Sequence, residues 1–198
     1  MAHDRVREGD ETAANDAATQ GHQCDDIDYL TRFSMLIERG RTVLDAGCGD
    51  GLPVDAYLVE QGFVVNGIDA SARLIERARE NVPEGFYEVK DMVDLNEGEY
   101  CVDGVVSLRA MLHIPHDQYR RLLKTFASFM PNGGALLLTM GTDAWGHPGD
   151  DTRGTMASSH HDDAGDNTEL VEDAGFTIIL NDIQGSDDEK RQIILARL

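Results

Sequence analysis

Three glycines at alternate positions, Gly47, Gly49 and Gly51, follow the apolar stretch Thr42–Ala46, with Asp45 and Asp50 set among them. Glycine lets backbone approach a ligand closely. Such a turn after a strand often holds a pyrophosphate against a helix N-terminus, with the spacing G-x-G-x-x-G. Here the spacing is G-x-G-x-G, and Asp45 and Asp50 would meet the phosphates. The two acids suit a cationic ligand instead. Asp69, followed by Ala70, comes about twenty residues later, where a carboxylate can accept from both ribose hydroxyls. Asp91, in "VKDMVDL", can accept from an adenine amino group, with Met92 packed on the ring. The set fits a nucleoside that carries positive charge and no phosphate.

Other residues could serve an acceptor. His113 follows the fourth strand and is the leading candidate to orient an acceptor or act as its base. Arg109 stands out in a chain poor in basic residues. It can hold a substrate carboxylate, and an internal salt bridge is the equal alternative. His116 reads as a helix cap or a solvent-facing residue. His160, His161, Asp162 and Asp163 are adjacent, and neighbours in sequence rarely turn both side chains to one ion, so no metal is expected. Trp145 fits an anchor for the long segment that holds them. Cys24, Cys48 and Cys101 form no disulfide framework. Cys48 reads as a small residue fitted beside the loop glycines rather than a nucleophile.

Strand and helix patterns alternate around these residues. Ile27, Leu30, Phe33 and Ile37 predict a helix over Asp25–Arg39, stopped by Gly40. Strands are expected at Thr42–Ala46, Phe63–Ile68, Phe86–Lys90, Val102–Leu108 and Ala135–Met140. Between them come helices at Leu52–Gln61, with Val54, Tyr57 and Leu58 inward, and at Ala72–Asn81, capped by Ser71 with Leu74, Ile75 and Ala78 inward. The pattern of Tyr119, Leu122, Leu123, Phe126 and Met130 predicts a helix over His116–Met130. A short helix at Asn167–Ala174 precedes two strands, Phe176–Ile183 and Gln192–Arg197, close enough to form a hairpin. Such alternation implies an open parallel α/β sheet with helices on both faces and an antiparallel edge. Residues 1–24 read as a flexible polar arm and 25–198 as one domain. The segment 141–165 is too long and polar for a tight connection.

The 198 residues carry 37 acidic against 17 basic side chains, a net charge of -20. That surface disfavours nucleic acid and anionic lipid as partners. Lysine occurs only at positions 90, 124 and 190, and acid-rich, lysine-poor surfaces resemble those of extreme halophiles. At about molar salt the Debye length is about 3 Å, so the repulsion is screened. No apolar run approaches a membrane span of about eighteen residues. The polar start lacks the core of a secretory leader, which sets a cytoplasmic expectation. Monomer or dimer is expected.

S-adenosylmethionine, with a sulfonium, an ammonium and no phosphate, is a ligand of the required kind. The strings "VLDAGCGDG", "GIDAS", "VKDM", "VDGVVSLRAMLHIP" and "FMPNGGALLLTMG", in this order, resemble the motifs of class I S-adenosylmethionine-dependent methyltransferases from about Thr42 onward. The resemblance implies a Rossmann-like, doubly wound, mostly parallel sheet of seven strands whose last strand is antiparallel. It also implies cofactor contacts at Asp45, Gly47, Gly49, Asp69, Asp91, Met92, Leu108 and Arg109, to which the adjoining Cys48 and Ala70 are added. It supports a place for His160 in a lid over the substrate; with His113 and Arg109, read from the residues themselves, His160 completes the catalytic candidates. The implied reaction is in-line methyl transfer to a small molecule, leaving S-adenosylhomocysteine. "MASSHHD" and "ELVEDAGF" further resemble a group of small methyltransferases, with Ser158 and His161 standing where that group has tryptophan and tyrosine. The rival readings are a cofactor-binding module without catalysis and an NAD-dependent oxidoreductase.

Overall fold

Apolar content decides which strands go inside. Gly104–Ser107 (β4) and Ala135–Gly141 (β5) are buried along their whole length, and Thr42–Ala46 (β1) at all but its first residue. Strands covered on both faces read as continuous apolar runs. Val64–Asp69 (β2) and Phe86–Val89 (β3) extend the sheet on one side. Thr177–Gln184 (β6) and Arg191–Arg197 (β7) extend it on the other. In the computed structural model, which describes residues 23–142, 164–185 and 190–198, the order is β3-β2-β1-β4-β5-β7-β6. All neighbours from β3 to β5 are parallel, and β7 runs antiparallel to both β5 and β6. The expected seven-stranded Rossmann-like sheet and its closing hairpin are present.

Strand alternation splits the core between two faces. Leu44, Leu136, Leu138 and Ile194 pack against Leu122 and Phe126 of Tyr119–Phe129 (the fourth α-helix) and Val171 of Ala164–Asp173 (the fifth). Val43, Val65, Val106 and Leu137 pack on the opposite face against Leu30 and Phe33 of Gln23–Ser34 (α1) and Leu58 of Val54–Glu60 (α2). The third helix, Ala72–Asn81 (α3), lies over β2 and β3 and buries Ile75 and Ala78 against Tyr87. We label the fourth and fifth helices α4 and α5.

Several boundaries differ from the sequence expectation. Helix α1 starts at Gln23 and ends at Ser34, five residues before Arg39, where the Ser34 hydroxyl donates to the Thr31 carbonyl and competes for the last turn. Ile37 still packs with α1, which is why the periodicity ran on. The expected helix at Leu52 begins at Val54, because the Asp55 and Ala56 N–H groups bond first to the Gly51 carbonyl. Asp55 is buried with Leu58, and Val54 and Tyr57 are half-buried. Within α3, Leu74 is likewise only half-buried. The stretch from His116 opens as a 3-10 turn, and the α-helix proper runs from Tyr119. Helix α3 keeps its predicted bounds, and the Ser71 hydroxyl accepts from the Leu74 N–H.

Candidate functional site

The parallel strands change direction of winding between β1 and β4, which are neighbours. Ligands of open α/β sheets bind beyond the carboxyl ends of the strands at such a switch point. The glycine loop lies there. Gly47 and Cys48 donate their N–H groups to the Ile68 carbonyl at 2.8 and 3.0 Å, folding the loop over the end of β2. Gly47 has φ +87°, and a Cβ there would come within 2.1 Å of the Ala110 Cβ, so no side chain fits. Gly49, at φ +58°, faces open space on the side where its Cβ would be. The loop is thus closed below and open above, as a backbone cradle for a ligand must be.

Asp69 is held at the end of β2 by two amides. Its Oδ2 accepts from Gly49 N–H at 3.0 Å and its Oδ1 from Ser71 N–H at 2.8 Å. Ala70, between them, is half-buried. Asp91 caps a 3-10 turn at Met92–Asp94 through the Val93 N–H, 3.1 Å away. The Met92 methyl lies 3.1 Å from the position of a Gly47 Cβ, so the residue after β3 reaches the glycine loop. Leu108 is buried after β4. These residues converge on one rim of the sheet, where Asp69 holds its carboxylate beside the glycine loop.

The two loop aspartates are not equivalent. Asp50 sits at the rim and pairs with Arg77 at 2.8 Å. Asp45 is buried beneath the loop beside Asp55. Burial raises the Asp45 pKa well above the usual carboxylate value, with the negative charges of Asp55 and Asp69 adding to it. Asp55 is pushed up to about 6, chiefly by burial, against the pull of hydrogen-bonding contacts with Asp45 and Tyr87. The same surroundings push the Cys48 thiol upward, burial first, so it stays protonated as the sequence reading of a packing residue requires.

On the acceptor side, Arg109 takes φ 65°, the one non-glycine residue with positive φ among the described residues. The turn brings Ala110 against Gly47. The Arg109 guanidinium is bound to Asp26 of α1, so of its two sequence alternatives the internal salt bridge is the one observed. Arg191 of β7 lies 3.8 Å from the same carboxylate. His113 ends a 3-10 turn, Ala110–His113, and is exposed. His116 opens the 3-10 turn His116–Gln118, with its ring tilted against Tyr119 at 4.8 Å between centroids. Asn167 Nδ2 donates to the Gly141 carbonyl and to Gln192 Oε1, at 2.8 and 3.0 Å, tying α5 to β5 and β7. His160, His161, Ser158 and Trp145 lie outside the described residues, as do residues 1–22 of the expected arm.

Sequence reasoning missed Asp26, Asp55, Asn167 and Gln192, all buried. Asp55 carried a faint signal, since it precedes the buried Leu58 by one helical turn.

A methyltransferase-domain family profile matches residues 18–181. The chain is 30% identical over 105 residues to a ubiquinone biosynthesis O-methyltransferase of Coxiella burnetii, covering 51% of this chain and 44% of that protein. It is 29% identical over 156 residues to a probable S-adenosylmethionine-dependent methyltransferase of Mycolicibacterium smegmatis, covering 76% and 60%. The chain therefore spans less than two thirds of the length of these relatives. The fold matches a magnesium protoporphyrin IX methyltransferase from Synechocystis with bound S-adenosylhomocysteine, at TM-score 0.70 and 20% identity over 90% of this chain and 83% of that one. It also matches the N-methyltransferase NodS of Bradyrhizobium japonicum, at TM-score 0.69 and 17% identity over 89% and 96%. With its motif string seated on this sheet and most of its length matched by the family profile, the chain belongs to the class I S-adenosylmethionine-dependent methyltransferases.

Proposed function

We propose that the chain transfers a methyl group from S-adenosylmethionine to a small-molecule acceptor. The observation that carries this is the acid-lined glycine loop. Asp69 presents its carboxylate at the end of β2, Asp45 lies under the loop, and Gly49 leaves the space above open. The cofactor supplies an activated methyl group on a sulfonium, so the protein has to orient an acceptor and exclude water. In this reading Asp69 accepts from the ribose hydroxyls, Asp91 and Met92 hold the adenine, and backbone at Leu108 and Arg109 faces the methionine part. His113 is the acceptor-side candidate for base or positioning residue. Arg109 acts by holding the turn through Asp26, and His160 is assigned to the acceptor side by resemblance alone.

A small acceptor is favoured by the net charge of -20, which repels nucleic acid. The relatives' names, a ubiquinone biosynthesis enzyme and a magnesium protoporphyrin IX enzyme, agree in class. Among the described residues no helix is long and apolar enough to cross a membrane. A cytoplasmic protein of halophile type, monomeric or dimeric, is part of the same proposal.

The test is calorimetric titration in concentrated KCl with S-adenosylhomocysteine and then NADH, followed by transfer of labelled methyl to a cell extract. Binding of the first nucleoside alone, with label recovered in small molecules, is the expected result. NADH binding would restore the oxidoreductase reading. Cofactor binding with no transfer would leave a binding module.

A further inference from the structure

Asp55 has no part in the site as the family motifs describe it. It is fully buried on the first turn of α2. Among the described residues, both its oxygens are buried without a well-formed hydrogen bond, and only the Asp45 carboxyl and the Tyr87 hydroxyl, itself buried, come within loose hydrogen-bonding reach. The groups facing it come from every neighbouring element. They are Asp45 from β1, Cys48 and Asp50 from the loop and Tyr87 from β3, with Asp69 of β2 acting in turn on Asp45 and Cys48. None of these is a cation, and Arg77 is engaged with Asp50. Two carboxylates pressed together in a dry site cannot both be ionised without a cation. A single proton between them gives Asp55 the donor that its oxygens lack.

We propose that Asp55 is a second acid of the cofactor site, holding one proton jointly with Asp45 in the ligand-free protein and releasing it to solvent when an amino-acid ammonium docks beside the pair. The inference rests on the reading that the loop takes S-adenosylmethionine. The balance is simple. One carboxyl O–H bond breaks, the proton passes to buffer, and the pair gains one negative charge opposite the arriving positive one. Affinity then rises with pH until the free pair is itself ionised, and is level above that point. The arrangement makes the pocket selective for a nucleoside bearing an ammonium group, because only that group discharges the proton.

The experiment is calorimetry on the full chain in concentrated KCl, with S-adenosylhomocysteine as probe. Paired buffers of small and large ionisation enthalpy are used at about pH 6, 7 and 8. The wild type is expected to give different heats in the paired buffers, equivalent to roughly half to one proton released at one pH or more. D55N, or Asp55→Ala as a second variant, is expected to bind with matching heats in both buffers. Wild-type binding with buffer-independent heats at every pH overturns the proposal. So does undiminished release in the variants, which would assign the proton elsewhere. Absence of any binding by folded wild type is a different result: it removes the cofactor reading, and this inference with it.

Discussion

Asp26 and Asp55 are equally shut off from water, at 2% and 0% exposure, yet their surroundings are opposite. Asp26 has two arginines, Arg109 from beyond β4 and Arg191 from β7. Asp55 has carboxylates and a phenol. A buried charge needs either a partner or a proton. Asp26 has taken the first solution and fastens α1 to two distant strands. Asp55 has the second, and a group kept neutral only by a proton can still respond to a ligand. One aspartate is therefore a fastening and the other is a receptor, although both read as the same letter in the sequence.

The largest expected effect comes from breaking the fastened aspartate. Asp26→Ala leaves the buried Arg191 and the half-buried Arg109 facing each other without their anion. Loss of a buried pair's partner costs about 3–5 kcal/mol. Urea denaturation should show a midpoint shift of that size, and a change under about 1 kcal/mol would mean the node fastens nothing.

Asp69 is the intermediate case, an acid held by two amides instead of a cation or a proton. Asp69→Ala frees Gly49 and removes the acceptor proposed for the ribose. Loss of about 2 kcal/mol, roughly thirtyfold in affinity, is expected in titration with S-adenosylhomocysteine. Unchanged affinity would move the ribose elsewhere.

At Asp55 the sign reverses. Its folded pKa, about 6, lies above the ordinary carboxylate value, so its favourable contribution is complete below the unfolded pKa and is lost as pH rises through the folded one. The ligand-free wild type should therefore lose stability from about pH 4 upward through pH 6. Asp55→Asn should be the more stable protein at about pH 8, by on the order of 1–2 kcal/mol, in melts without ligand. A destabilised variant at that pH would place a real partner on the carboxylate.

The smallest effect on folding is expected at His113, which is exposed. His113→Ala should leave the melt within about 0.5 kcal/mol. Turnover should nevertheless fall by at least about tenfold with cofactor affinity intact. Full activity would take His113 out of the chemistry.

Local signals carried much of this molecule. Ser71, the run to Asn81 and the apolar strands each announce themselves within a few residues, because capping and alternation are short-range physics. The place of Asp69 at the end of β2 was legible too, from its spacing after the glycine turn, but its bond from the Gly49 N–H was not. Asp55 was hidden because an acid one turn before Leu58 reads as solvent-facing, and the inward places were given to Val54 and Tyr57, which are only half-buried. Asp26 and Arg109 were hidden by distance, since 83 residues separate them and nothing local to either names the other. Arg109 was noticed for its rarity and for its place after β4, and only the fold decides between substrate and salt bridge.

The order of the strands also sets a schedule for assembly. Strand β6 leaves the ribosome before β7 but lies outside it, with β7 pairing β5 along Gly141↔Arg191 to Ala135↔Arg197. Until residues 191–197 emerge, β6 has nothing to pair with and β5 keeps a bare edge. Arg191, which opens that strand, is also one of the two cations on Asp26 near the start of the chain. The sheet's last gap and the first helix are thus completed by the same late segment. A ribosome stalled just before it would display an open, apolar edge, the state in which a chain of this topology is most prone to pair with its neighbours.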